Sequence, residues 1–193
     1  MTAVLLDTCS YLRLAKRIRP LLGRPFAQKG YFLVVLSEVD KEVRRNPHLL
    51  ARYPWFDHKE HISERRAGSL RLSKDDKTLV EITKSVLMGY VARNVKSFLA
   101  GRRDPPGAVD CLVLATAEVK NLIVATDDLN MYELGKQFSI ATWHGYDVLK
   151  RMHAAKLLSN SDIQEIYAAL EVNLDLPTTW VEAKCGPFRK VFR

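Results

Sequence analysis

Short apolar runs alternate along the chain with amphipathic stretches. Residues 2–6 (TAVLL) form one such run, which predicts a short buried strand ending at Asp7. In residues 8–18, Tyr11, Leu14, Ala15 and Ile18 fall at i, i+3, i+4 and i+7, the spacing of a helix face, with Thr8 as its N-cap. Pro20, Gly23 and Pro25 break that pattern. Residues 31–36 (YFLVVL) are continuously apolar and rich in β-branched and aromatic residues, as expected of a parallel strand covered on both faces. Ser37 then caps a helix, SEVDKEVRR, that Pro47 closes. A long polar stretch runs from about His48 to Gly101 and reads as two helices, 60–70 and 75–99. In the second, Leu79, Ile82, Val86, Tyr90, Val91 and Val95 mark an apolar stripe.

A second α/β unit follows the firm loop RRDPPG. Residues 108–119 (AVDCLVLATAEV) predict a buried helix of small residues, and 121–126 (NLIVAT) a strand ending at Asp127 and Asp128. Helices are expected at 129–137, 145–155 and 160–170, a further strand at 138–143, and an irregular basic tail after Asp175. Alternation of this kind implies an α/β fold with a parallel sheet of about four strands between two helical layers. It divides the chain into a domain over 1–150, with a helical insert at 56–103, and a helical extension over 151–193 with a basic tail.

Composition narrows the partners. The net charge of +8 makes a polyanion, and nucleic acid above all, the natural candidate. Three scattered cysteines form no CxxC pair and so indicate neither a zinc knuckle nor a disulfide framework. His58 and His61, three residues apart, make only a weak zinc signal. No apolar run approaches the roughly 20 residues needed to span a bilayer. The N-terminus lacks the features of a secretory signal, so no membrane partner and a cytoplasmic location are expected.

The chemistry lies in where the acids fall. Ligands of open α/β sheets bind outside the carboxyl ends of the strands. Asp7 follows the first strand, Glu38 and Glu42 lie on the helix after the second, and Asp127 and Asp128 follow the third. Asp110 opens the helix that precedes that third strand. Singly, Asp7, Asp110 and Asp127 or Asp128 read equally well as helix caps or first-turn acids. Caps alone do not explain an acid at every one of these exits. Carboxylates converging in apolar surroundings repel one another unless a cation joins them, and all-oxygen ligands select Mg²⁺ or Mn²⁺.

Four segments, LLDTCSYLRLA, LSEVDKEV, AVDCLVLATA and LIVATDDLNM, resemble the acidic motifs of the PIN-domain family, in the family's order. The resemblance covers residues 1 to about 55 and 104 to about 150. It implies a metal-dependent ribonuclease using Mg²⁺ or Mn²⁺, with Asp7, Glu42, Asp110 and Asp128 at the four acidic positions. Glu38 is the competing glutamate, Asp127 a further metal ligand, and Thr126 and Thr8 are secondary candidates. Asn130 departs from the family pattern, standing where a further aspartate often occurs, and the insert is longer than in compact members. Many members resemble VapC-type toxins, which implies RNA as substrate, an antitoxin protein as partner and a homodimer. Arg13, Lys16, Arg17, Arg93, Lys96, Arg102 and Arg103 are candidate phosphate contacts. The competing readings are a PIN-like module that binds RNA or protein with little or no catalysis, and a structure-specific DNA nuclease. A haloacid-dehalogenase-type phosphatase needs an acid where Cys9 stands.

Overall fold

The computed structural model describes residues 1–28, 30–101 and 103–192. Its centre is a four-stranded, wholly parallel sheet in the order β2-β1-β3-β4, built from β1 (Thr2–Leu6), β2 (Tyr31–Val34), β3 (Ile123–Ala125) and β4 (Thr142–Trp143). The middle strand β1 sets Val4 between Leu33 and Ile123. Such a strand has no wet face, which is why its sequence is a run and not an alternation.

The two-residue period of the strands sorts their side chains into two cores. Val4, Leu6, Leu33 and Ala125 point into one core, shared with helices α1 (Thr8–Ala15), α2 (Ser37–Arg45), α9 (Gly145–Ala154), α10 (Asn160–Val172) and α11 (Thr178–Cys185). Ala3, Leu5, Val34 and Val124 point into the other, shared with α5 (Lys74–Arg93), α6 (Val95–Leu99), α7 (Ala108–Lys120) and α8 (Leu129–Gln137). The result is the three-layer α/β/α arrangement expected from the sequence. Among the described residues, no helix is long and apolar enough to cross a membrane.

Three parts of the pattern fold differently from expectation. Pro47 ends α2 and also opens α3 (Pro47–Arg52), at whose start Asn46 accepts the His48 and Leu49 N–H groups. A 3-10 turn at Pro54–Asp57 then buries Trp55 and Phe56, so the stretch is not uniformly polar. Between this turn and α5 lies α4 (Lys59–Ala67). The tail after Asp175 is not irregular: it forms α11 and buries Trp180, Phe188 and Val191 in the first core. On α5, the face turned to the core carries Val80, Leu87 and Val91, while Leu79, Ile82 and Val86 are exposed.

Candidate metal centre at the carboxyl edge of the sheet

Each acid reaches the carboxyl edge through the turn that leaves its strand or opens its helix. Asp7 is the residue after β1 and the N-cap of α1; its Oδ1 accepts the Ser10 N–H at 2.6 Å. Asp128 caps α8 by accepting the Met131 N–H at 2.7 Å through Oδ1. Asp110, in the first turn of α7, accepts the Gly107 N–H at 2.7 Å through Oδ2. The capping role considered from sequence is therefore real at all three positions. It occupies one oxygen of Asp110 and one of Asp128, and the other oxygen of each remains for a ligand.

Two threonines tie the acids together. Thr126, fully buried, donates to Asp7 Oδ2 at 2.6 Å and accepts the Asp128 N–H at 3.1 Å, so one hydroxyl links the exits of β1 and β3. Thr8 donates to Glu42 Oε2, which brings α2 to the residue beside Asp7. Glu42 and Asp128 both act electrostatically on Asp110. Glu38, one turn earlier on α2, is held elsewhere. It accepts from Ser37 and Lys41 and lines a cavity of about 700 Å³ against α5.

The cluster carries uncompensated negative charge. None of Asp7, Glu42, Asp110 and Asp128 has a cationic partner among the ion pairs of the described residues. Burial pushes the Asp7 carboxyl up to about 7, against the Thr126 and Ser10 hydrogen bonds that favour its anion. Burial likewise raises Asp110 to about 6; the Gly107 N–H opposes this, and the charges of Asp128 and Glu42 add to it.

These shifts fix a pH dependence. Raised carboxyls bind protons more tightly in the folded chain than in the unfolded one. Stability in the absence of metal should therefore fall as pH rises from the ordinary value of 3.8 to about 7, then level off. A divalent cation that binds the ionised cluster should restore it, so Mg²⁺ should raise the melting temperature more at pH 8 than at pH 5. Scanning calorimetry with and without Mg²⁺ checks this; an equal response at the two pH values would contradict it.

Asp127 is placed differently. Its side chain is 1% exposed and ion-paired with Arg13 at 3.1 Å. Its oxygens also accept the Gly145 N–H at 2.9 Å and the Trp180 indole N–H at 2.8 Å. Arg13 in turn holds Asp175 at 3.1 Å, so both residues tie the C-terminal helices to the sheet. Lys16, Arg93, Lys96 and Arg103 are exposed, and Arg17 donates to the Arg13 carbonyl. Arg102 lies outside the described residues. Asn130, at the departure from the family pattern, donates its amide to the carbonyls of Phe98 and Asp104 and so holds the approach to α7. Ser10, with a buried hydroxyl near Asp7 that has no hydrogen-bond partner among the described residues, was not a sequence candidate; only its place three residues after Asp7 marks it.

The parallel four-stranded sheet between helical layers is the fold class expected from the sequence. The fold is a three-layer α/β/α arrangement around a parallel sheet. The crystal structure of FitAcB from Neisseria gonorrhoeae is similar over 74% of this chain and 98% of that one, at 15% identity and a TM-score of 0.43. No family model matches the chain, and no curated protein matches it.

The donor set, four carboxylates with hydroxyls between them, is all-oxygen, the kind a hard divalent cation takes. The carboxylates stand wider apart than a closed coordination shell. Among the described residues, no three His, Cys, Asp or Glu side chains are close enough together to hold an ion.

Thr126 is the residue on which this geometry most depends without itself carrying charge. Thr126→Val keeps its shape and removes both hydrogen bonds. It is expected to lower metal affinity or metal-dependent activity by about 10- to 100-fold, the usual effect of losing a group that orients a ligand. Titrating Mn²⁺ against the variant measures this.

Proposed function

We propose that the chain is a metal-dependent endoribonuclease whose Asp7, Glu42, Asp110 and Asp128 hold Mg²⁺ or Mn²⁺. One observation carries the reading. Four carboxylates without cationic partners among the described residues lie at the edge where α/β sheets bind ligands: Thr126 and Thr8 connect three of them, and the fourth, Asp110, feels the charges of Asp128 and Glu42.

When bound, the cation would polarise a phosphodiester, lower the pKa of water and stabilise the leaving oxygen. The residues of the chain do the rest. Thr126 fixes Asp7 and the turn into Asp128 in one orientation. Thr8 fixes Glu42, and the Gly107 N–H directs Asp110. Burial raises the Asp7 and Asp110 carboxyls in the absence of a cation, and a bound cation would favour their ionised forms. The net charge of +8 and exposed cations such as Lys16, Lys96 and Arg103 favour a phosphate backbone as substrate. The RNA preference rests on the family resemblance alone.

The test is cleavage of labelled single-stranded RNA, with matched DNA alongside, in Mg²⁺, Mn²⁺ and EDTA. Metal-dependent RNA cleavage is the expected result. DNA cleavage alone would replace ribonuclease by deoxyribonuclease. Binding without cleavage under either metal would favour the second reading, a PIN-like binding module. That reading has its own support in the wide spacing of the acids.

A further inference from the structure

We infer that the cavity between α2, α5 and α7 is a binding site for a guanine nucleotide, with Glu38 as the residue that recognises the base. The nuclease reading is not needed for this: binding without any cleavage satisfies it.

The cavity measures about 700 Å³, within the span of roughly 300–1,000 Å³ usual for small-molecule sites. Leu36, Leu70, Leu72, Val80 and Leu112 give it apolar walls. Such walls suit a flat ring whose faces are apolar and whose polar groups lie along its edge.

Between these walls stands a carboxylate of fixed orientation. Glu38 Oε2 accepts the Ser37 hydroxyl at 2.9 Å, and Oε1 accepts the Lys41 ammonium at 3.1 Å. Against the desolvation of burial, these two bonds hold the carboxyl below its usual range, so it is ionised and can only accept. A carboxylate offers about four lone-pair sites, so each oxygen keeps room for a second donor. Two acceptors side by side call for two donors side by side. Among the RNA bases, guanine alone presents that pair, N1–H and N2–H, on its Watson–Crick edge. Adenine and cytosine set an amino group beside a ring acceptor, and uracil sets its N–H between two carbonyls. An ionised carboxylate repels those acceptors.

The charges around the cavity decide against the other common fork of donors, a guanidinium. Glu38 is already paired with Lys41, and Glu81, the second acid of the lining, with Lys84. Arg71 and Lys77 also line the cavity. Both are exposed and take part in none of the ion pairs among the described residues. Their charge repels a cation and attracts the phosphate of a nucleotide.

The cavity shares two helices with the acid cluster. Helix α2 carries Glu38 one turn, about 6 Å, before Glu42, and α7 carries Leu112 two residues after Asp110. A free guanine nucleotide and one within an RNA strand present the same base and phosphate to this cavity.

Isothermal titration calorimetry of the full chain tests the inference with guanosine monophosphate, inosine monophosphate, adenosine monophosphate and guanosine. EDTA keeps metal-dependent cleavage out of the measurement. Guanosine monophosphate should bind saturably, and at least about tenfold tighter than the inosine nucleotide, which lacks only the N2 amino group, or the adenosine one. Glu38→Gln sets an amide donor against a base donor. It should lower affinity for guanosine monophosphate about tenfold or more and remove the preference over adenosine monophosphate. Arg71→Ala combined with Lys77→Ala should weaken guanosine monophosphate and leave guanosine unchanged. Circular dichroism confirms that each variant folds. A short uridine strand holding one guanosine separates the two sources: tighter binding than the mononucleotide identifies the strand, weaker binding the free nucleotide. No saturable binding of either overturns the inference. So does equal affinity for the three monophosphates, or an unchanged affinity in Glu38→Gln. Equal losses for guanosine and its monophosphate in the double variant overturn the placement of the phosphate.

Discussion

Asp7→Asn and Asp110→Asn should each lower metal-dependent RNA cleavage by about 100-fold or more, with the fold intact. Loss of a group that merely orients a ligand lowers activity by about 10- to 100-fold, and a ligand should matter at least as much. The change is close to isosteric. The amide oxygen that Asp7→Asn introduces can still accept the Ser10 N–H, so α1 keeps its cap. What disappears is a negative charge that burial already penalises. Without metal at pH 8, the Asp7→Asn protein should therefore melt no lower than the parent, and its melting temperature should respond less to Mg²⁺. A purely structural role for Asp7 predicts the reverse, with lost stability and an unchanged response to Mg²⁺. The decisive comparison is cleavage rate against melting temperature for both variants. Full activity in both would remove the four-acid site from consideration.

The site was more legible in the sequence than its surroundings, for physical reasons. Asp7, Asp110 and Asp128 stand next to elements with strong local signals: a five-residue apolar strand, a helix of small buried residues, and a strand running into T-D-D. Each acid is placed by its own turn, and a turn is local. Helical phase alone does not separate Glu42 from Glu38, because both lie on one face of α2; the family resemblance favoured Glu42. Thr8 separates them in space: it bonds Glu42, while Lys41 and Ser37 hold Glu38.

Tertiary pairing was not legible. Arg13 lies on the helix leaving the site and read naturally as a phosphate contact. Its partners, Asp127 and Asp175, lie more than a hundred residues away. The phase of α5 was also hidden. Its sequence carries apolar residues on two sides, and periodicity cannot tell which side α7 covers. The tail hid its helix because Trp180, Phe188 and Val191 are isolated apolar residues with no repeat between them. They become core only because α10 supplies Ile163, Ile166, Tyr167 and Leu170 to pack against.

The largest loss of stability is expected at the junction between tail and sheet. Asp127→Ala should destabilise the protein by about 3–5 kcal/mol, because it removes one of the two carboxylates paired with a largely buried guanidinium and the acceptor of two further N–H groups. For a chain of this size that corresponds to a fall of roughly 6–20 °C in melting temperature. The same substitution removes the acceptor of the Gly145 and Trp180 N–H groups, so α9 and α11 should loosen together. Gly145 shows how tight the junction is: a Cβ there would stand 2.7 Å from the Trp180 ring and 2.8 Å from Asp127 Oδ2. Asp127→Asn keeps an acceptor and should cost less. Combining it with Arg13→Met gives up the Asp175 pair as well and should cost more. Chemical denaturation of the three variants gives these differences directly. The series also separates the two roles open to Asp127. As a metal ligand, Asp127→Asn would abolish cleavage at near-parental stability. As the residue that pins the C-terminal helices, it lowers stability first, and cleavage follows only as the turn into Asp128 loses its position.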